Sequence, residues 1–476
     1  MISGPIPVVD IFSGPGGLGE GFSRVNDGAA FKTVIAIEKD PHAVETLKLR
    51  AFYRAIAYKK APLPDGYLDL LNAETSAARM EALGKIALCP EWHDAVQEVQ
   101  CRELGVDNDK YHRDIETRLA GRKDWVLIGG PPCQAYSLVG RSRMQNHEGL
   151  VHDDRHFLYK QYLEIIQKHG PAIFVMENVK GLNTAKVAGR KILPKILHDL
   201  KSAGAGYDLY SLGGGGDLLL PGEEVGDFLI RAEKFGVPQS RHRVIIVGVR
   251  KGFSAKPISL KEKPEVSVFE AISDLPPLLG LDSAKDRSSY RLADRGAPFR
   301  LINSDSVHAG GDGFRSFVSP IHPSLNGCLM NHEARSHMEE DLSRYRWWAE
   351  QAELSGESPK LDDDEFPEEY RPKHKNLNSD GPLVFADRFK VQVRNRPSGT
   401  VTSHISKDGH YYIHYDPRQN RSFSVREAAR IQSFPDDYFF MGNRTQQYHQ
   451  VGNAVPPYLA YQIGCEVWRA FCEASS

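Results

Sequence analysis

Short apolar strands alternate with helical segments over the first half of this chain. The strand candidates VVDIF, VIAIE, WVLIG, IFVMENV and VIIVGV begin at positions 8, 34, 125, 173 and 244. Helical periodicity lies between them over residues 42–56, 157–168 and 192–200. Strands that alternate with helices build parallel sheets, because a helical crossover returns the chain to the same edge. The pattern therefore predicts an α/β fold with a doubly wound, mostly parallel sheet.

The alternation does not continue beyond a first domain, which we place at residues 1–250. Residues 251–395 are rich in Pro, Gly, Ser and charged residues, and only residues 333–353 are typical of a long helix. We expect this stretch to form a second, irregular domain. Regular helical patterns return over residues 396–476. We expect that segment to pack back on the first domain and complete it.

Composition narrows the class of protein. The 476 residues include 41% hydrophobic and 26% charged residues, which is typical of a globular protein with two or more domains. The six cysteines form no CxxC pair, and this argues against a disulfide framework and a zinc finger. The histidine spacing also fits no common metal site. We expect no metal, no membrane-spanning segment and a cytoplasmic location.

The charge distribution bears on nucleic-acid binding. The net charge is only −2, so contact with DNA requires a local basic surface. Residues 371–396 contain seven Lys or Arg and two Asp, a local excess of five positive charges that is suited to a phosphate backbone.

A glycine-rich segment, DIFSGPGGLGEGF, follows the first strand at residues 10–22. Gly14, Gly16 and Gly19 have GxGxxG spacing, and Glu38 ends the second strand about two dozen residues beyond Gly14. Such a loop lets a ligand approach the backbone, and the carboxylate can hold two ribose hydroxyls. The pattern predicts an adenosine ligand, with NAD, FAD and S-adenosylmethionine all compatible. A tight turn without a ligand is the alternative.

One cysteine lies in a conspicuous context. The segment GGPPCQAYS, residues 129–137, places Cys133 directly behind two prolines at the end of an apolar strand. The prolines fix the backbone direction just before the sulfur. Free cysteines are often buried and inert, so this segment alone leaves both a reactive thiol and a core residue open.

Four further blocks lie at strand ends, where an α/β sheet opens its ligand cleft. They are MENVKGL (176–182), FGVPQSRHR (235–243), REAARIQSFP (426–435) and QVGNAVPP (450–457). With DIFSGPGG and PPCQ, their identity and order closely resemble the DNA (cytosine-5)-methyltransferase family of bacterial restriction-modification systems. The resemblance implies a Rossmann-like fold of the S-adenosylmethionine-dependent type. It also implies that residues 251–395 are the variable target-recognition domain.

The resemblance implies a specific reaction. The enzyme would transfer a methyl group from S-adenosylmethionine to C5 of a flipped-out cytosine in a specific duplex sequence. Cytosine C5 is a poor nucleophile, so the Cys133 thiolate would first bond to C6. Glu177 would protonate or hydrogen-bond N3, Arg243 would hold O2, and Arg241 would steady the neighbouring groups. Gln134 of PPCQ and Asn178 of MENVKGL complete the implied catalytic set.

The resemblance also implies the cofactor pocket. Phe12 would stack on adenine, the backbone of residues 13–17 would cradle the methionine portion, and Glu38 would bind the ribose. Asp114 and Ile115 match the block that reads the adenine edge. The remaining members of the implied pocket are Ser13, Gly14, Pro15, Gly16, Gly17, Lys39, Pro132, Leu158, Asn453 and Ala454.

Double-stranded DNA is the implied partner, bound by a monomer, and a cognate restriction endonuclease is a further candidate partner. Three alternatives stay open from the sequence. A tRNA cytosine-5 methyltransferase of the same type would share the thiolate mechanism. A catalytically silent DNA-binding protein would keep the fold. A nicotinamide or flavin oxidoreductase would explain the glycine spacing but neither PPCQ nor MENV.

Overall fold

The structure of the protein is a computed structural model. It describes residues 4–73, 75–132, 158–187, 190–213, 228–254, 258–279, 281–282, 299–301, 312–362, 366–372 and 388–475.

Within these residues, one sheet of eight strands dominates the first half of the chain. Its strands are β1 (Ile6–Ile11), β2 (Phe31–Glu38), β3 (Val99–Cys101), β4 (Val126–Gly129), β5 (Ile173–Val179), β6 (Tyr207–Tyr210), β7 (Leu229–Arg231) and β8 (His242–Arg250). The order is β3-β2-β1-β4-β5-β8-β6, and β7 pairs with β8. The first five strands are mutually parallel, whereas β8 runs antiparallel to β5, β6 and β7. The predicted mostly parallel sheet is confirmed.

The helices follow the predicted alternation. They are α1 (Gly17–Ser23), α2 (Pro41–Ala57), α3 (Asp65–Asn72), α4 (Ser76–Ile86), α5 (Pro90–Glu98), α6 (Asn108–Leu119), α7 (Leu158–His169), α8 (Leu193–Lys201), α9 (Val268–Ile272), α10 (Asp312–Val318), α11 (Glu339–Ser355), α12 (Val425–Ile431), α13 (Arg444–Asn453) and α14 (Pro457–Ala474).

Short strand pairs and single 3-10 turns complete the described elements. The paired short strands are Lys186–Val187 with Arg190–Lys191, Gln239–Ser240 with Ser398–Gly399, Leu281–Asp282 with Ser336–His337, and Phe299–Leu301 with Cys328–Met330. The 3-10 turns are Lys180–Asn183, Ala232–Lys234, Pro323–Leu325, Glu368–Tyr370, Ser403–Ser406 and His410–Tyr412.

Helices cover both faces of the sheet. Side chains alternate along each strand, so Val9 and Val8 of β1 enter different apolar clusters. The cluster around Val9 contains residues of α6, α7 and α8, and the cluster around Val8 contains residues of α1 and α14. This burial on both faces explains why the strand sequences read as continuous apolar runs.

The long helix of the middle region begins later than the sequence predicts. The expected range was 333–353, but α11 starts at Glu339 because Ser336 and His337 form a short parallel pair with another strand. Met338, which directly precedes the helix, is 61% exposed. Trp348 is fully buried, as a packing role requires.

The apolar core continues across residue 395. One cluster contains Val268 and Phe314 from the middle region together with Val401, Phe423 and Tyr448 from the C-terminal segment. The two segments therefore share a core where they are described.

The C-terminal helix packs on α1 through glycines. A Cβ atom at Gly17 would overlap the carbonyl oxygen of Val455, and one at Gly21 would overlap the backbone of Tyr461. Gly17 and Gly21 are four residues apart and lie on one face of α1. Part of the glycine-rich segment thus serves helix contact rather than ligand contact.

A buried ion network joins α1 and α2 to the C-terminal segment. Arg50 Nη2 lies 2.5 Å from Glu20 Oε1, and its Nη1 lies 3.0 Å from Asp437 Oδ1. Arg24 contacts Glu20 at 2.9 Å and donates to the Phe317 carbonyl at 2.6 Å. Burial alone would raise the pKa of Glu20, but the arginines, Arg50 first among them, hold it well below its ordinary value. The glycine-bearing helix is therefore tied to both later segments.

None of the described helices has the length and hydropathy that a bilayer crossing requires.

The first testable consequence concerns the contact between α1 and the residues just before α14. We expect Gly17→Ala to lower the free energy of unfolding by about 2 to 3 kcal/mol, because the methyl group would overlap a backbone carbonyl. Gly84→Ala in α4 is the matched control, since nothing lies within 4 Å of its added Cβ. That control should gain about 0.5 to 1 kcal/mol. Urea titration followed by circular dichroism measures both, and equal effects would contradict the packing argument.

The second consequence concerns the stability of the protein at acidic pH. Burial lowers the pKa of His332 to about 4 and those of His337 and His414 to about 3, from an ordinary value of 6.5. Since the unfolded chain binds protons more readily, this stabilisation is full above pH 6.5 and is lost as pH falls toward 4. The maximum slope is about 1.4 kcal/mol per pH unit for each histidine. Urea titrations at pH 7 and pH 5 should show a loss of stability of several kcal/mol.

A matched pair of variants tests the cause of that acid sensitivity. His414→Gln should reduce the difference between the two pH values, whereas the exposed His93→Gln should leave it unchanged. A pH-independent stability of the wild-type protein over this range would refute the prediction.

Candidate active site

The glycine loop between β1 and α1 has an unusual backbone conformation. Phe12, Gly14 and Gly16 have φ values of 54°, 56° and 91°, in the left-handed region. Gly14 and Gly16 adopt it without a Cβ penalty. Phe12 adopts it as a non-glycine residue, a strain that typically marks a functional loop. Its ring is half-buried against the core below β2.

Glu38 anchors this loop from the carboxyl end of β2. Its Oε2 accepts a hydrogen bond of 2.8 Å from the Gly14 amide, and its Oε1 accepts bonds of 2.8 Å from the amides of Lys39 and Asp40. The carboxylate is half-buried and stays at the rim of the loop. Ser13 adds a second link, because its Oγ donates to the Asp10 carbonyl at 3.1 Å.

These residues fit an adenosine cofactor. A Cβ atom added to Gly14 would meet nothing within 4 Å, so the backbone of the loop is open to a ligand at this position. Glu38 places carboxylate oxygens at the end of the second strand, and the half-buried Phe12 belongs to the loop that Glu38 anchors. The arrangement can hold a ribose and one flat base.

The C-terminal segment reaches the same loop. The Gly17 backbone lies against the Val455 carbonyl, which brings the preceding residues Asn453 and Ala454 to the start of α1. Ala454 is buried, whereas Asn453 is exposed, with its Nδ2 3.3 Å from a ring nitrogen of His449. Lys39 is exposed and pairs with Glu103 at 3.2 Å.

Asp114 and Ile115 require a correction. The structure places both within the helix α6. Ile115 is fully buried in the core and cannot contact a ligand, and Asp114 pairs with Arg102 at 2.7 Å. Cys101, opposite Glu38 in the sheet, holds the strand-end position instead. The sequence did not reveal it because β3 is only three residues long and lacks a readable apolar period.

Cys133 and Gln134 lie outside the described residues. The nearest described residues on either side are Pro132 and Leu158, and both are half-buried. Leu158 is the first residue of α7. Asn178 Nδ2 donates a 3.0 Å hydrogen bond to the Pro131 carbonyl. The chain is thus fixed two residues before the cysteine.

Glu177 lies beside that approach. A Cβ atom at Gly130 would stand 2.8 Å from Glu177 Oε2, so only glycine lets the backbone pass the carboxylate this closely. The other oxygen, Oε1, is 2.8 Å from Arg243 Nε. Both side chains are mostly buried, and burial lowers the pKa of Arg243 while Glu177 opposes that change. The antiparallel pairing of β5 and β8 brings the two residues together.

Arg241 binds the C-terminal segment rather than the carboxylate. Its Nη1 donates to the Val401 carbonyl at 2.7 Å, and both terminal nitrogens lie 3.4 Å from the Gly452 carbonyl. Burial lowers its pKa, and the neighbouring Arg243 lowers it further. Gln239, which is fully buried, accepts from the Val401 amide at 2.8 Å and donates to Gln432 at 2.7 Å.

The REAARIQSFP block forms α12 and fixes the surrounding backbone. Arg426 is fully buried and donates to the carbonyls of Met330 and Pro435 at 2.8 Å. Glu427 makes two contacts of 2.6 Å with Arg421. The charged residues of this block thus organise the region between the middle segment and the C-terminal segment.

The described residues contain no group of three or more His, Cys, Asp and Glu side chains that could hold a metal ion.

Comparison with known proteins decides the family. The family model for C-5 cytosine-specific DNA methylase matches residues 80–469. The chain belongs to this family. It is therefore an enzyme of the DNA cytosine-5 methyltransferase class. This assignment argues against two alternatives that the sequence left open, the nicotinamide or flavin oxidoreductase and the catalytically silent DNA-binding protein.

Two relatives of this methylase support its assignment to the family. The type II methyltransferase M.Bpa9945I of Bacillus paralicheniformis is 36% identical, and the alignment covers 95% of this chain and 96% of that protein. The type II methyltransferase M.AgeI of Thalassovita gelatinovora is 26% identical, with 95% and 96% covered.

A solved structure supports the fold of the methylase. An E. coli protein assigned as a DNA modification methyltransferase encoded within a prophage superposes with a TM-score of 0.60 at 19% identity. The match covers 98% of this chain and 99% of that one. The Rossmann-like class predicted for the sheet is confirmed.

A stability measurement can test how Arg241 acts in the methylase. We expect Arg241→Met to lower the free energy of unfolding by about 2 to 4 kcal/mol, because two buried carbonyls lose their donor. Arg418→Met is the control, since that side chain is 88% exposed and should change stability by less than about 0.5 kcal/mol. Equal urea midpoints for the two variants would contradict the role of Arg241 in joining the segments.

Proposed function

We propose that this methylase transfers a methyl group to C5 of a flipped-out cytosine within a specific sequence of double-stranded DNA. The observation that carries the proposal is the Glu177–Arg243 pair beside the Gly130 and Pro131 backbone that leads to Cys133. This arrangement brings an acid, a cation and a cysteine-bearing segment to one edge of the sheet.

The proposed cofactor is S-adenosylmethionine, which supplies an electrophilic methyl group when bound. Phe12 would stack on the adenine, Glu38 would hold the ribose, and the backbone of residues 13–17 would cradle the methionine portion. Asn453 and Ala454 would close the pocket from the C-terminal side. The loop conformation and the position of the Glu38 carboxylate support this assignment.

Cys133 is the proposed nucleophile. Its sulfur would form a bond to C6 of the cytosine, which moves electron density toward C5 and the N3 side of the ring. C5 would then bond to the methyl carbon as the bond from that carbon to the sulfonium sulfur of the cofactor breaks, with S-adenosylhomocysteine as the leaving group. Loss of the C5 proton and cleavage of the sulfur–carbon bond would restore the aromatic ring and the thiolate. Gln134, the next residue in the chain, would help to position Cys133.

Glu177 and Arg243 are proposed to handle the charge on the ring. Glu177 Oε1 is held by Arg243, and Oε2 faces the Gly130 backbone. We propose that Oε2 provides the proton or hydrogen bond at N3, and that Arg243 holds O2. Asn178 would position the cysteine-bearing segment through Pro131. Arg241 would position Arg243 by fixing the adjoining backbone.

Residues 251–395 are the proposed target-recognition domain. Four exposed or half-exposed cations of the described part follow one another across the end of this domain: Arg388, Lys390 and Arg394 lie within it, and Arg396 lies one residue beyond it. Arg394 lies 3.9 Å above the centre of the Phe269 ring, which holds its charge at the surface. These cations would contact phosphates. They would help to offset the few kcal/mol needed to rotate a base out of the helix.

A cognate restriction endonuclease is the proposed partner in the cell, since several relatives are type II methyltransferases. We propose that the methylase acts in the cytoplasm as a monomer on DNA. Transfer RNA is the competing substrate, because the same thiol chemistry applies to it. The long middle segment favours DNA, whose duplex demands an extended contact surface.

Tritium-labelled methyl transfer tests the function directly. We expect incorporation into unmethylated duplex DNA and none into tRNA, with bisulfite sequencing locating the modified cytosine. Cys133→Ser should reduce incorporation to background, and Glu177→Gln should reduce kcat by about 100-fold to 10,000-fold. In a duplex with 2-aminopurine beside the mapped cytosine, fluorescence should rise on binding if the base is flipped.

The controls separate the parts of this proposal. Cys89→Ser removes a half-buried thiol outside the site and should keep full activity. Full activity of Cys133→Ser would overturn the covalent mechanism, and methylation of tRNA but not DNA would overturn the substrate. Unchanged 2-aminopurine fluorescence would count against base flipping.

A further inference from the structure

One carbonyl of the glycine loop is held by a side chain from the other end of the chain. Tyr438 Oη donates a hydrogen bond to the Pro15 carbonyl oxygen. Tyr438 follows the SFP residues of the C-terminal segment and is fully buried. A Cβ atom added to Gly16 would lie 3.1 Å from the same hydroxyl, so the loop passes directly over it.

The position of this hydroxyl is set by dense packing. The Tyr438 ring lies 4.8 Å from the Phe434 ring and 5.2 Å from the Phe440 ring, between centroids. The Arg50 guanidinium lies 4.8 Å above the Tyr438 ring. Arg50 is itself fixed by Glu20 and Asp437. Burial raises the pKa of Tyr438, so its hydroxyl remains a donor at neutral pH.

The bond matters because of the peptide group that it fixes. The Pro15 carbonyl and the Gly16 amide belong to one planar unit, so orienting the first orients the second. The Gly16 amide donates to the Ser13 carbonyl at 2.9 Å, and Pro15 has no amide hydrogen of its own. Tyr438 therefore holds one end of this unit and Ser13 holds the other. Between two residues with positive φ, no regular secondary structure provides this restraint.

We propose that Tyr438 is a positioning residue for the cofactor loop, and that its hydroxyl sets the affinity of the loop for S-adenosylmethionine. This inference rests on the proposed cofactor function of the loop. Tyr438 does not contact the reacting atoms. It acts through the Pro15–Gly16 peptide group, and it links cofactor affinity to the folding of the C-terminal segment.

Calorimetric titration and steady-state kinetics test the proposal. Tyr438→Phe keeps the ring and removes the hydroxyl. We expect it to raise the dissociation constant and the KM for S-adenosylmethionine by about three- to tenfold, the effect of one hydrogen bond. Because the reacting groups are untouched, we expect kcat at saturating cofactor to stay within about twofold.

Tyr448→Phe is the matched control. Tyr448 is also fully buried in the C-terminal segment, and its hydroxyl donates to the Phe423 carbonyl at 2.5 Å, away from the loop. We expect this variant to lose similar stability but to keep wild-type cofactor affinity. Equal affinity losses in both variants would show a general structural effect and would overturn the positioning role.

Two further results keep the proposal distinct from the cofactor assignment. If the wild-type protein binds no S-adenosylmethionine, the cofactor assignment fails and the role of Tyr438 fails with it. If the wild type binds and Tyr438→Phe binds equally well, only the role of Tyr438 is overturned.

A fluorine probe covers the case in which the variant does not fold. 3-Fluorotyrosine at position 438 retains the hydroxyl, and its fluorine resonance should shift when S-adenosylmethionine is added, whereas the same probe at position 448 should not shift. Identical resonances at position 438 with and without cofactor would overturn the proposal.

Discussion

The buried pairing of Arg50 with Glu20 and Asp437 is the constraint on which the site depends. Removing one partner from such a network leaves an uncompensated buried charge. The association of α1, α2 and the C-terminal segment therefore depends on all three residues. Glu20 belongs to the helix that follows the glycine loop, and Asp437 precedes the tyrosine that holds that loop. The proposed cofactor pocket is therefore complete only when the C-terminal segment has folded onto the first domain.

A second constraint governs the edge of the sheet that holds the proposed catalytic residues. The antiparallel strand β8 carries Arg243 to Glu177, while Arg241, just before the strand, extends to the carbonyls of Val401 and Gly452. Two arginines that are two positions apart thus serve different purposes. One adjoins the acid, and the other fixes the backbone of the segment that returns from the middle region.

Much of the first domain could be predicted because its signals are local. The range 173–179 of β5 agrees with the sequence pattern, since an apolar run of that length is too short for a typical helix and favours a buried strand. The start of α11 could not be predicted, because residues 336–337 pair with a strand more than fifty positions away. Asp114 and Ile115 were misplaced for a related reason. They lie within α6, whereas the strand end beside Glu38 is Cys101 of β3, a strand whose assignment depends on pairing with β2 rather than on its own sequence.

The sequence by itself determined the fold class, because the alternation of strands and helices is a local pattern. Its ordered blocks carried the resemblance to cytosine methylases, and that resemblance implied the proposed roles of Cys133, Glu177 and Glu38. Only the tertiary structure decided that Gly17 serves the contact with Val455, that Arg241 binds the C-terminal backbone, and that Tyr438 holds the Pro15 carbonyl. Each of these contacts joins residues 160 or more positions apart. Such contacts arise from the packing of distant segments, which leaves no periodic trace in the sequence.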